Sequence, residues 1–227
     1  MAVKTQAQKH EEMKTKVLYV AAKLFLEKGY TETSLKEISS IANINIGSLI
    51  NIFKNKENIL CELVEYVIEG QFRATDKFMK DVTDDKILFY AAETTLQLHM
   101  AESNEYVRDL YAAAYSMPNT MALIQQNITG KLEEIFKEQL PDLKTKDFFE
   151  LEIASGGIMR SFMTTPCDMY FTMERKVRRF IETTLLLYRV SDEKINEAID
   201  FVMQFDFESF AEQTIEGMMK YLEEKTL

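Results

Sequence analysis

Tryptophan is absent from this chain of 227 residues, and glycine, proline, cysteine and histidine number only 7, 3, 2 and 2. Each scarcity excludes something. With so few breakers, long stretches repeat apolar side chains at a period of about 3.6 residues, which predicts an all-α protein. Cys61 and Cys167 lie far apart without metal-ligand neighbours, so they are expected to be ordinary thiols in a reducing compartment. Two histidines leave little material for metal or acid–base chemistry, and no metal site is expected. No apolar run approaches the roughly 18 residues of a membrane span and no secretory leader is visible, so a soluble, cytoplasmic protein is expected. The sequence also lacks a Gly-rich phosphate loop, an HExxH, a CxxC pair and a nucleophile elbow. Glu133-Glu134 and Glu223-Glu224 are adjacent pairs, and adjacent helical positions do not share a face. The expectation is therefore a chain that is not an enzyme and carries no cofactor.

What is present is uneven charge. The net charge is −10, yet residues 1–60 hold nine lysines against six acidic residues. A basic end on an acidic body suits a phosphate-bearing partner, because phosphate contacts depend on local rather than total charge. That basic end contains TSLKEISSIANINIGSLINIFKNK, Thr33 to Lys56. Ser34 and Glu37 fit a capping box, and Leu35, Ile38 and Ala42 give a short helix one apolar face. Asn43 tolerates the left-handed backbone that ends such a helix, and Asn45 is a good N-cap for the next. Leu49 and Phe53 form the buried stripe of that second helix, which leaves Ile46, Ser48, Ile50 and Asn51 mostly off it. Two short helices around a tight turn are a helix-turn-helix, whose second helix enters the major groove. A preceding helix over about 11–28, closed by Gly29 and Tyr30, and a following helix capped by Asn55 complete the unit.

The run AAKLFLEKGYTETSLKEISSIANINIGSLINIFKNKENIL resembles the N-terminal domain of TetR/AcrR-type transcriptional regulators over residues 11–62. The phrases that carry the likeness are Phe25 to Gly29-Tyr30, Thr33-Ser34, Ile38 with Ala42, Gly47-Ser48-Leu49 and Phe53-Lys54-Asn55-Lys56-Glu57. The resemblance implies a helix-turn-helix domain over 1–56 and a helical effector-binding and dimerisation bundle over 57–227. It implies a homodimeric repressor that leaves a double-stranded DNA operator when a small, largely apolar effector binds. By the same resemblance the helix from Asn45 reads bases, placing Asn45, Ile46, Ser48, Leu49, Ile50, Asn51 and Lys54 at the DNA. Thr33, Ser34 and Lys56 are implied to touch phosphates. Two departures stand out: the family usually has glycine where this chain has Asn43, and a backbone-contacting tyrosine where it has Ile50. The second keeps another reading open, a helical ligand-binding or interaction protein with weakened or lost DNA binding.

Beyond residue 60 the punctuation predicts helices over about 84–103, 104–116, 119–139, 146–164, 171–189, 192–205 and 207–224, the first four ended by turns or prolines. Phe89, His99, Tyr106, Tyr111, Tyr115, Met159, Phe162 and Met163 are the candidate effector-contacting residues, because aromatics and methionines suit an adaptable apolar pocket. Packing is the competing reading for each of them. His99 is the leading polar candidate. Ser155-Gly156-Gly157 interrupts a helix at a cost of about 1 kcal/mol per glycine, so a close approach or a kink is expected there. By the resemblance, 146–164 and 171–189 are candidates for the dimer interface, with the final helix pair as the alternative. Arg175, Lys176, Arg178 and Arg179 are expected to form a solvated or interface-rim face.

Overall fold

A computed structural model describes residues 5–226; residues 1–4 of the expected first domain and Leu227 of the second lie outside them. Among the described residues every regular element is a helix: α1 Gln6–Lys28, α2 Leu35–Ile41, α3 Ile46–Phe53, α4 Lys56–Met79, α5 Lys86–Glu102, α6 Glu105–Ala114, α7 Pro118–Phe136, α8 Thr145–Thr164, α9 Met173–Leu187, α10 Asp192–Val202 and α11 Phe207–Glu224. None is long and apolar enough to cross a membrane. Local chemistry explains the starts. Thr5 and Gln8 form a reciprocal capping box, so α1 begins several residues before the expected 11. Asp85, Asn104, Thr172 and Ser191 each cap the following helix with a side-chain oxygen. Pro118 occupies the first turn of α7, where its missing N–H costs nothing.

The capping box expected at Ser34 is only half made. The Ser34 hydroxyl accepts from the Glu37 amide, but the Glu37 carboxylate turns away to pair with Lys28. Asn43 does adopt the left-handed backbone, at φ 52°, and the Ile44 amide closes the α2 terminus on the Ser39 carbonyl at 3.0 Å.

Two apolar cores result. One packs Val17, Phe25, Ile38, Leu49 and Phe53 of α1–α3 against Ile59, Leu60 and Leu63 of α4, and is completed by Ala114, Ile124 and Leu222 from α6, α7 and α11. The other fills the body around Leu96, Phe136, Phe148, Phe180 and Tyr188. The N-terminal unit is thus built onto the body. The Asp109 carboxylate on α6 accepts from the Thr31 amide and hydroxyl, both at 2.8 Å, and the Glu57 carboxylate accepts from the Asn119 amide at 3.0 Å.

The expected basic face on α9 needs correction. Lys176 is fully buried, its ammonium donating to Glu102 Oε2 and the Thr165 carbonyl, each at 2.6 Å. It ties α9 to the end of α5, while Arg175 and Arg179 remain exposed. Gly156 is buried, and a Cβ there would meet Glu152 Oε1 at 2.9 Å, so glycine makes room for a folded-back carboxylate. Gly157 is exposed with open space beside it.

Candidate nucleic-acid interface and effector cavity

The second helix of the helix-turn-helix, α3, is anchored on one edge and free on the other. Leu49 has 0% exposure and Phe53 is buried beneath it, so Leu49 is an anchor and cannot touch DNA as expected. Beside these anchors Ile46 and Ile50 are 40% and 45% exposed, one helical turn apart, and Gly47, Asn51 and Lys54 carry the open face round to the far side. Ser48 is half-buried beside them. The Asn45 carboxamide is exposed but already accepts from the Gly47 amide at 2.8 Å, so its first role is the cap. Lys54 ends α3 at φ 65°, turning the chain sharply into Asn55, whose side chain caps α4.

The three expected phosphate contacts divide. Ser34 is exposed at the N-terminus of α2, where amide donors and the helix dipole favour an anion. Thr33 is only 2% exposed, and its hydroxyl donates to the Gly29 carbonyl at 2.7 Å. Lys56 folds back across the α1–α2 turn, donating to the carbonyls of Tyr30 and Thr33 at 2.7 Å and of Thr31 at 3.4 Å, over the Tyr30 ring. Burial pushes the Lys56 ammonium below its ordinary value, against the opposing pull of Asp109 and Glu32. Thr33 and Lys56 therefore hold the turn's shape, a role that follows from the chain doubling back on itself.

The body holds two neighbouring recesses that share wall residues. The larger, about 100 Å³, lies between α1, α4, α6, α7 and α11 and is lined mainly by Leu60, Ile68, Met100, Ile124 and Met218. The smaller, about 40 Å³, is lined by Phe72, Phe89, Tyr90, Met159, Glu93 and Glu152 among others. Gln97, Tyr115 and Ile128 belong to both walls. Gln97 Nε2 donates to Glu93 Oε1 at 2.6 Å, and the Tyr115 hydroxyl donates to Gln97 Oε1 at 3.4 Å. In the larger recess Gln71 Nε2 sits 2.5 Å from the Tyr111 hydroxyl.

Of the expected effector residues, Phe89, Tyr111, Tyr115 and Met159 line these recesses. The other four line neither. His99 rests against Phe207 with ring centroids 6.0 Å apart, and burial lowers its pKa to about 4, so it is a neutral wedge between α5 and α11. Tyr106 is exposed at the start of α6; Phe162 packs on Phe171 and Phe180; Met163 is buried in the body core. Helical period identifies an inward face but not which inward residues border a void.

Glu93 and Glu152 escaped the sequence reading, although a signal existed. Between Lys86 and Glu102, Glu93 is the only acidic residue in a run otherwise apolar or neutral, apart from His99. Both carboxyls are 4% exposed, and burial raises the pKa of each to about 7. Unfolded glutamates lose their protons near pH 4.5, so over the window from there to about 7 the folded chain holds more protons. Stability should accordingly fall as pH rises through that window, by roughly 3 kcal/mol for each group. Denaturant titrations at a series of pH values check this, and Glu93→Gln with Glu152→Gln should flatten the profile; an unchanged slope would assign it elsewhere.

Comparison with known proteins gives the following. The sequence model described as bacterial regulatory proteins, tetR family, matches residues 17–63. The probable HTH-type transcriptional regulator YttP of Bacillus subtilis (strain 168) is 25% identical over 166 residues, spanning 72% of this chain and 73% of that protein. The biofilm operon icaADBC HTH-type negative transcriptional regulator IcaR of Staphylococcus epidermidis is 30% identical over 140 residues, spanning 51% of this chain and 75% of IcaR. Among solved structures, RolR in complex with the ligand resorcinol superposes with a TM-score of 0.62 at 19% identity, covering 86% of this chain and 95% of RolR, which shows a shared fold.

Proposed function

This chain belongs to the tetR family of bacterial regulatory proteins and is a DNA-binding transcriptional regulator, and we propose that it acts as a homodimeric repressor released from its operator by a small molecule bound in the body. One observation carries the DNA-binding half: α3 exposes Ile46, Gly47, Ile50, Asn51 and Lys54 on a helix fixed from behind by Leu49 and Phe53. Those exposed side chains, with Asn45 and Ser48 at the edge, are the proposed base-reading set, and Ser34 the proposed phosphate contact. Repression accords with IcaR, a negative regulator. We divide the chain functionally after Lys56, at the start of α4, and assign the base-reading unit to residues before it.

The effector half rests on where the larger recess lies. Its walls include Ala22 and Leu26 of α1, and Leu110 and Tyr111 of α6. Between those α6 residues and the reading helices stands the Asp109–Thr31 pair. A ligand that binds one placement of α6 better than another would thereby shift the head, and only by that difference in affinity. Asp109→Ala should cost about 1–2 kcal/mol and remove the protection of the Thr31 amide. Hydrogen exchange reads this directly, and retained protection would rule out the latch.

For the dimer, α8 presents Phe149 and Ile153 to solvent with Gly157 one turn on, and α9 presents Leu186. Such a stripe on two neighbouring helices suits a four-helix contact with a second copy. Ile153→Glu should give a monomer in sedimentation at micromolar concentration and lower operator affinity, because paired reading helices must span successive major grooves about 34 Å apart. A stable dimer in that variant would move the interface elsewhere.

An electrophoretic shift against DNA upstream of the chain's own gene tests the function as a whole. Salt-sensitive, sequence-dependent binding is expected; binding indifferent to sequence would leave the second reading, a body that has lost its operator.

A further inference from the structure

Building on the reading of the body as an effector domain, we propose that its cavity takes an amphiphilic organic amine, the ammonium between Glu93 and Glu152 and the apolar end in the larger recess. The polar end is the unusual part. Glu93 on α5 and Glu152 on α8 are both 4% exposed and border the same 40 Å³ recess. Among the described residues neither has an ion-pair partner. Glu93 Oε1 accepts from Gln97 at 2.6 Å, and Glu152 Oε2 accepts from the Ser155 hydroxyl at 2.9 Å. A carboxylate offers about four acceptor positions, so both retain capacity toward the recess. Two buried acids without a counter-ion are costly, and a ligand cation would relieve that cost in one step.

The arrangement is supported from behind. The Tyr188 hydroxyl donates to Ser155 Oγ at 2.8 Å, fixing the donor that orients Glu152, and Gly156 leaves the space into which that carboxylate folds. The surrounding rings present faces suited to a cation. Lys131 illustrates it in the wall of the same recess, its ammonium 3.9 Å from the centroid of Phe72, where its charge favours ionised Glu93 without forming an ion pair with it.

Size and polarity then define the rest of the ligand. Gln97, Tyr115 and Ile128 line both the acidic recess and the apolar one of about 100 Å³, and a ligand spanning the two would pass between these side chains. With those side chains parted, the two volumes would approach the roughly 150 Å³ of an engineered cavity that takes benzene. One ring or a short alkyl chain ending in an ammonium group fits that outline.

The titratable groups facing the two acids are Lys131 from α7, Tyr90 from α5, Tyr111 and Tyr115 from α6, and Tyr188 from α9. Burial raises all four phenols away from neutrality, so the carboxyls dominate titration near pH 7. A bound cation favours their ionised forms, so binding releases protons to solvent and weakens as pH falls below about 7.

The test is calorimetry on the full chain with phenethylammonium and its neutral counterpart, phenethyl alcohol. The ammonium should bind at least ~10-fold more tightly than the alcohol at about pH 7.5, with proton release that depends on the buffer, and several-fold more weakly at about pH 6. Glu93→Gln and Glu152→Gln, which keep shape and remove charge, should each weaken the ammonium ~10-fold while leaving the alcohol within about threefold. Equal affinity of the two probes, undiminished ammonium binding in both variants, or no ammonium binding at all would overturn the proposal. Operator release is scored separately. Glutamate-dependent binding that leaves operator DNA bound would uphold the ligand class and sink the reading of the cavity as an effector site.

Discussion

Replacing Ile50 with glutamate should abolish operator recognition while leaving thermal stability within about 0.5 kcal/mol of the parent. Ile50 is 45% exposed on α3, one turn from Ile46 and at the edge of the stripe buried by Leu49 and Phe53. Glutamate is a good helix former, so nothing in the fold resists it. In the groove, however, it meets the phosphate field and replaces an apolar contact, and a dimer carries the change twice. A loss on the order of 100-fold, ~3 kcal/mol, is expected in operator titrations. Unchanged binding in a folded variant would show that α3 is not the reading helix. Ile50→Tyr runs the opposite way. It supplies the phenol that resembling proteins usually carry, and a gain in affinity would mean the natural head grips the backbone weakly. Tight binding that Ile50→Tyr does not improve would remove the reading of this chain as a regulator that has lost DNA.

Lys56→Ala should act on stability first and on DNA only as a consequence. The ammonium gathers the carbonyls of Tyr30, Thr31 and Thr33, the turn that joins α1 to α2, and covers the Tyr30 ring. Hydrogen bonds from a charged donor contribute about 1.5–3 kcal/mol each, and partial access of water to this turn limits the net loss to about 2–3 kcal/mol. For a chain of this size that corresponds to a fall of roughly 5–10 °C in Tm. Operator affinity should decline for all sequences in proportion to the disordered turn, with the salt dependence of the folded fraction kept. A variant with parental Tm and a flatter salt dependence would instead identify Lys56 as a phosphate contact, as the resemblance alone implied.

These two lysine and isoleucine positions show where sequence reasoning carries and where it stops. The α3 pattern was partly legible because burial on a helix follows from spacing: Leu49 and Phe53 four apart face in and Gly47 and Asn51 fall on the far side, whereas Ile46 and Ile50 flank the stripe and their exposure is a property of the tertiary structure. Leu49, placed at the DNA by the resemblance alone, faces in by that same spacing. Lys56 and Thr33, implied by the resemblance to touch phosphates, are already engaged within the fold. Their partners are backbone carbonyls brought near by the fold of the turn, with Lys56 more than twenty residues along the chain from them, and no local pattern records that. In the body, Tyr111, Tyr115, Phe89 and Met159 line the recesses, whereas His99, Tyr106, Phe162 and Met163, expected on the same grounds, line neither. All are of cavity-compatible type, and only the packing of neighbouring helices decides which border empty space.

Glycine and proline scarcity, apolar period and cap residues by themselves determined an all-α chain, its helix order and a helix-turn-helix near its basic end. Those properties are local: each depends on residues within a turn or two of one another. The placing of Glu93 and Glu152 on one recess, the neighbouring apolar recess and the clasp of Asp109 on Thr31 were decided only by tertiary structure. Each joins helices separated by tens of residues, so its energy depends on how the helices cross and what they bury.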